Sequence, residues 1–382
     1  MSNMYFPLQS LQNGDWFKLI CGASYQHLPA VRSLSLAYAL AGADCIDVAA
    51  DAAVVGAAKE GLTAAEHFRE SAIAQGFLMK GRPWLMVSLN DGEDPHFRKA
   101  SFNPNLCPTD CPRPCEAVCP ADAINFSGVI ADRCYGCGRC LPVCPSQLIT
   151  AESHQLSPTA VVEQLQAFHI DAIEIHTQAG RETEFQQLWE ALQPIIPQLK
   201  LLAISCPDAP NLIDYLQTLY DKISPLPCPL IWQTDGRPMS GDLGKGTTRA
   251  TVKLAQKVLQ ADLPGYVQLA GGTNQHTVTK IQSEQLLNCP PNFPKPYVAG
   301  IAYGSFARSQ LSSFLESLEQ FHDPEADRQT ENSSLQLEDY PELLWRAVSQ
   351  ADTLVSQLKR PGFLSRADQA LANRESRTEL TC

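Results

Sequence analysis

LLAISCPDAPNLIDYLQTLYDKISPLPCPLIWQ, residues 201–233, decides the fold. Leu201–Ser205 is a short apolar run that reads as a strand buried on both faces, Asn211–Lys222 as a helix and Leu230–Gln233 as the next strand. Outward from this unit the same alternation recurs. Strands are expected at Phe17–Cys21, Cys45–Val48, Trp84–Leu89, Ala172–His176, Tyr266–Ala270 and Tyr297–Ala302. Helices are expected at His27–Ala41, Ala52–Gln75, Pro158–Phe168, Glu182–Leu199 with breaks at Pro194 and Pro197, Thr248–Gln260, Val278–Leu287 and Ser305–Phe321. Eight strands alternating with eight helices fit an α/β (β/α)8 TIM-like barrel; a doubly wound open sheet is the competitor.

The alternation breaks off near residue 100 and resumes near residue 156. Eight of the chain's 14 cysteines fall in that interval. Cys134-Tyr-Gly-Cys137-Gly-Arg-Cys140-Leu-Pro-Val-Cys144-Pro145 is C-x2-C-x2-C-x3-C-P, the bacterial ferredoxin spacing for a cubane cluster. Cys107-x3-Cys111-x3-Cys115-x3-Cys119-Pro120 keeps the ending but spaces its early cysteines more widely. The last cysteine of such a run ligates the other cluster. One set is then Cys134, Cys137, Cys140 and Cys119, the other Cys107, Cys111, Cys115 and Cys144, giving two [4Fe-4S] clusters. Gly136 and Gly138 let the backbone coil close to the sulfurs and aim N–H groups at them. The wider spacing leaves open whether Cys107 and Cys111 are both ligands, whether the first run holds a cluster at all, and whether that cluster has three irons or four. Zinc would call for two separated C-x2-C pairs, and tight cysteine spacing in a reducing compartment points away from disulfides. The expected organisation is residues 1–99 as the first part of the barrel and 100–155 as a dicluster ferredoxin-like insertion after strand three. Residues 156–321 complete the barrel, and 322–382 form a polar linker, an amphipathic helix at Pro341–Lys359 and a tail.

With 44% hydrophobic and 18% charged residues the chain reads as globular, and its net charge of −12 argues against a nucleic-acid surface. Met1–Trp16 lacks the basic and apolar halves of a secretory signal, and Asp44, Asp47 and Asp51 interrupt the Ala-rich stretch that would otherwise resemble a membrane span. A cytoplasmic location is expected.

In a barrel the strand ends would present Ser24, His27, Asp51, Asn90, Asp91, His176, Cys206, Asp208, Asp235, Asn274 and Tyr303 at the mouth. Gly271 and Gly272 after strand seven, with Gly300 and Gly304 around the end of strand eight, suit the phosphate of a flavin mononucleotide (FMN) or serve as ordinary turn glycines. Residues 235–248 form a glycine-rich loop that lacks the P-loop order.

Three segments carry a likeness to a known family. They are GDWFKLICGASYQHLPAVRSLSLAYALAGADCIDVAADAAVV (14–55), the block CPTDCPRPCEAVCP…CYGCGRCLPVCP (107–145) and DGRPMSGDLGKGTTRATVKLAQKVL (235–259). Together they resemble the light-dependent period protein family of cyanobacteria, over nearly the whole chain. The resemblance implies an iron–sulfur protein that carries redox state, and so light intensity, to the circadian clock. Its implied partners are clock proteins and a redox donor such as the quinone pool or ferredoxin. Its cluster ligands would be the eight cysteines above; no catalytic residue carries over. The alternative is a ferredoxin-fed oxidoreductase with a barrel active site, one that could bind FMN.

Overall fold

The computed structural model describes residues 6–21, 28–92, 98–119, 123–131, 133–134, 138–153, 158–236, 248–288, 295–320 and 336–360. The chain opens with α1 (Phe6–Asn13), then runs β1 (Trp16–Ile20), α2 (Leu28–Ala41), β2 (Cys45–Ala49), α3 (Ala52–Ala74) and β3 (Trp84–Asn90). An insertion follows: β4 (Arg98–Ser101), α4 (Pro114–Ala117), β5 (Ile124–Asn125), β6 (Gly128–Val129), α5 (Cys140–Val143) and β7 (Thr150–Ser153). The alternation resumes with α6 (Pro158–Phe168), β8 (Ala172–His176), α7 (Glu182–Leu192), β9 (Leu201–Pro207), α8 (Leu212–Ile223) and β10 (Leu230–Asp235). It ends with α9 (Thr248–Gln260), β11 (Tyr266–Ala270), α10 (Thr277–Ser283), β12 (Gly300–Tyr303), α11 (Ser305–Gln320) and α12 (Pro341–Lys359).

Eight parallel strands close in the order β1-β12-β11-β10-β9-β8-β3-β2. The closing pair aligns Trp16 with Gly300 and Lys18 with Ala302. An open doubly wound sheet is therefore excluded. Alternate residues face opposite sides of each strand. Phe17, Leu19, Ile46, Val87, Ile173 and Ile204 face outward and pack with the helices in the main core. Trp16, Cys45, Met86, Ala172, Leu201 and Ile231 point inward and fill the lower interior. Leu11 of α1 joins that lower cluster, so the unexpected first helix plugs the barrel floor.

Gly300 corrects an expectation. It is the first residue of β12, at the floor end, and not beside Gly304 at the mouth. A Cβ there would lie 2.4 Å from the Trp16 carbonyl oxygen, so glycine permits the β1–β12 approach, and no phosphate role follows. The prolines act as expected: α7 stops at Leu192, and Ile196–Gln198 forms a separate 3-10 turn. The amphipathic face of α12 is buried through Leu344, Ala347, Ala351, Leu354, Val355 and Leu358. Its end is pinned to the barrel by Lys359, whose Nζ lies 2.7 Å from Asp44 Oδ2, both groups buried. No helix among the described residues is long and apolar enough to cross a membrane.

Candidate functional site

The insertion is built on a small scale. β4 and β7 pair antiparallel at its neck, and β5 and β6 form a short hairpin aligning Ile124 with Val129. Its core contains Ala100, Cys115, Ala123, Ile124, Cys134, Cys140 and Ile149, with Cys119 and Cys144 packed against it. A core that includes three cysteines is too small to hold a fold by apolar burial alone. Each four-residue helix carries one of those cysteines, Cys115 in α4 and Cys140 in α5.

The last cysteine of each run accepts a similar hydrogen bond. The N–H of Ala123 donates to Cys119 Sγ at 3.2 Å, and the N–H of Leu148 donates to Cys144 Sγ at 3.4 Å, four residues on in both cases. The N–H of Ala100 donates to Cys134 Sγ at 3.4 Å, which ties the neck strand to the second run. Gly138 has φ +73°, the left-handed conformation that the tight loop requires. Gly136 and Cys137 lie outside the described residues, as do Pro120, Ser24, His27 and the loop 237–247.

The thiols also act on one another. Partial burial and the neighbouring thiols of Cys111 and Cys144 push the Cys107 thiol up. Burial, with a contribution from Cys144, pushes Cys115 up. Burial alone would raise Cys144, but backbone N–H groups from Leu148, Ile149, Ser146 and Gln147 bring it below its ordinary value. Cys107 is thus a neighbour of Cys111 and Cys144, and Cys115 a neighbour of Cys144, with N–H donors converging on Cys144. None of the seven described cysteines of the insertion is in a disulfide. Among the described residues no three side chains converge as ligands of a single metal ion. A cubane asks for something looser, since each thiolate binds a different iron. Free thiols, N–H groups aimed at sulfur and an apolar surround fit such a cluster.

The sequence reading passed over two features of the insertion, the first of which joins it to the barrel. Lys99 of β4 donates from Nζ to the Ala131 carbonyl at 2.6 Å, in the turn leading to Cys134. The same Nζ lies 3.1 Å from Asp51 Oδ2 on the barrel rim. Asp51 in turn caps α3, accepting from the N–H groups of Ala53 and Val54. Arg113 adopts φ +50° before α4 and stacks over the exposed Phe126 ring at 3.8 Å.

The upper half of the barrel interior is charged. Lys18, Asp47 and Glu174 are almost wholly buried. Lys18 Nζ is 3.0 Å from Asp47 Oδ2 and bonds Glu174 Oε2. Glu174 Oε1 accepts from Gln233 at 2.6 Å and lies 3.1 Å from His176 Nε2. The chain of bonds continues from Gln268 to Gln233 and from Ser205 to Asp235. Burial pulls the Lys18 ammonium down, yet Asp47 and Glu174 outweigh it and hold it above its usual value. Burial lifts the Asp235 carboxyl to about 6 against the pull of His176. Of the expected mouth residues, His176 and Asp235 belong to this network. Asp91 sits on the rim with Arg181 Nη1 at 3.1 Å from its Oδ1. Cys206 packs in the outer core instead, and Tyr303 stacks on Phe17 behind the strands. Gly271 and Gly272 have φ +64° and +102°, and their carbonyls accept from Thr251 and Thr248 of α9.

The chain is 55% identical over 355 residues to Light dependent period A of Synechococcus elongatus, spanning 93% of this chain and 94% of that protein. It belongs to the light dependent period A family. The family's iron–sulfur cluster-binding domain matches residues 107–155, which contain all eight cysteines, and its C-terminal domain matches residues 164–357. An iron–sulfur cofactor is supported by that match. Among solved structures, Mycobacterium tuberculosis tryptophan synthase aligns at 11% identity and TM-score 0.41, over 94% of this chain and 98% of that one. A putative fructose-1,6-biphosphate aldolase from Coccidioides immitis aligns at 10% identity and TM-score 0.42, over 96% and 97%.

Proposed function

We propose that this protein is an iron–sulfur redox sensor that conveys light-dependent redox state to the circadian clock through protein partners in the cytoplasm. The carrying observation is the match of residues 107–155, with all eight cysteines, to a domain that binds iron–sulfur clusters, together with N–H groups aimed at the sulfurs of Cys119, Cys134 and Cys144. Residues 100–155 then form a ferredoxin-like module between barrel segments 1–99 and 156–321, followed by the C-terminal extension 322–382. Two [4Fe-4S] clusters are proposed, one on Cys107, Cys111, Cys115 and Cys144, the other on Cys119, Cys134, Cys137 and Cys140. Such a cluster, when bound, takes up and returns one electron. The N–H groups of Ala123, Leu148 and Ala100 donate to the sulfurs of Cys119, Cys144 and Cys134, the kind of contact that tunes a bound cluster. Lys99, in contact with the Ala131 carbonyl and Asp51, links that loop to the barrel rim, so a rearrangement in the loop reaches α3.

The test compares oxidised and dithionite-reduced protein, prepared without oxygen, for capture of purified clock proteins, with EPR recording cluster state. Capture that changes at least tenfold between the states supports sensing. Equal capture in both states, with EPR showing full reduction, removes it. The oxidoreductase reading gains from bound FMN, and the glycine set that suggested it is reduced to Gly271, Gly272 and Gly304 at the mouth.

A further inference from the structure

The barrel floor, where the strands begin, carries a cleft of about 540 Å³. It opens between the start of α1, the middle of α3, the turn before β3 and the turns that lead into β8 and β9. That is the volume of a small-molecule pocket. Barrels do their chemistry at the opposite face, so a cleft at the floor points to binding rather than catalysis.

The charge of the cleft runs against that of the chain, which carries −12 overall. Lys59, Arg82 and Lys200 line it, and Asp171 is the acid among its lining residues. Asp171 is already engaged: Oδ1 lies 2.6 Å from Lys200 Nζ, and Oδ2 accepts from the Leu85 N–H at 2.9 Å. Lys59 donates to the uncharged carbonyl of Phe168. Arg82 meets Glu66, which does not line the cleft, at 3.7 Å, with both side chains well exposed. Such a pair holds little charge in place. Lys80 adds an ammonium beside the cleft, 5.5 Å from the centre of the Phe6 ring. Partial burial, and then the nearby Arg82 guanidinium, keep the Lys59 ammonium below its ordinary value, while Asp171 pulls the other way. Lys59, Lys80, Arg82 and Lys200 against Glu66 and Asp171 leave two positive charges in excess among these groups. A concave wall of one sign concentrates ions of the other. Phe6, Pro83 and Trp84 supply an apolar side to the same cleft.

We propose that this cleft binds a small organic phosphate monoester, with the phosphate between Lys59 and Arg82 and a flat ring against Phe6 and Trp84. A phosphate monoester carries close to two negative charges at neutral pH, which matches the excess. Ammonium and guanidinium groups meet its oxygens with charge-assisted hydrogen bonds. The phosphate also relieves the repulsion between Lys59 and Arg82. This site does not depend on the iron–sulfur reading.

The experiment is isothermal titration of the full-length protein at pH 7.5 and constant ionic strength, with AMP and phenyl phosphate as probes and adenosine and inorganic phosphate as controls. Saturable one-to-one binding of at least one monoester is expected, tighter than that of either control. Arg82→Gln and Lys59→Gln are each expected to weaken it about tenfold. Lys280→Gln, which removes the same charge from an exposed helix elsewhere, is expected to leave it unchanged. Arg82 is exposed and loosely paired, so its variant keeps the fold even if Lys59→Gln lowers the melting temperature. Absence of saturable heat with both monoesters overturns the proposal. So does binding that survives both cleft variants, or adenosine or inorganic phosphate binding as tightly as the monoesters.

Discussion

The barrel and its insertion are stabilised in different ways. The barrel buries its helices against eight strands in one large core and fills its floor with a second apolar cluster, and it can carry a costly charged layer inside. The insertion has a core of seven buried residues, three of them cysteines, and helices of four residues each. Such short helices do not persist unaided. The barrel's shape is therefore fixed by apolar burial, while the insertion's shape is tied to what its thiols bind.

The sharpest way to break this contrast is to remove the metal. Chelation under oxidising conditions is expected to make residues 98–153 the first site of trypsin cleavage, while far-UV circular dichroism keeps most of its barrel signal. An insertion that stays protected would place its stability in its own packing. Within the barrel, Glu174→Ala leaves Lys18 buried with one partner fewer and is expected to cost about 3–5 kcal/mol, read from urea midpoints. A loss below about 1 kcal/mol would mean that water enters the layer freely.

Asp235 gives a pH test. Its folded value of about 6 lies above the ordinary 3.8, so the folded state holds the proton more tightly. The stability this carries is present at pH values below the ordinary one and lost as pH rises through about 6, a fall on the order of 3 kcal/mol at most. Asp235→Asn is expected to flatten that slope; an unchanged slope would move its origin elsewhere. The smallest effect is at the joint between the regions. Lys99→Met is expected to speed amide exchange in β4 and β7 by about 1–2 kcal/mol while leaving the barrel strands unchanged.

Much of the barrel was legible because its strands are apolar runs bounded by turn residues. Ala172–His176 and Tyr266–Ala270 fall where the sequence places them. The last strand slid to Gly300–Tyr303, since Val298 and Ala299 bond to the Leu286 and Val267 carbonyls before the regular pairing begins. Helix α1 was missed because FPLQSLQN is short, with no acidic residue in its first turn or basic one in its last. The charged layer was missed for a different reason. WFKLI, CIDVA and AIEIH each carry one charged residue inside an apolar strand, and a run dominated by apolar neighbours hides it. The signal was there in the period: Lys18, Asp47 and Glu174 all occupy inward positions. The cysteine spacing announced the cofactor, while the Lys99 link is a tertiary contact that spacing along the chain does not encode.

Iron and acid-labile sulfide, counted on protein purified without oxygen, test the central claim most directly. Two cubanes require about eight of each per chain. About four of each would dismiss the set built on Cys107, Cys111, Cys115 and Cys144, and zinc without sulfide would contradict the account.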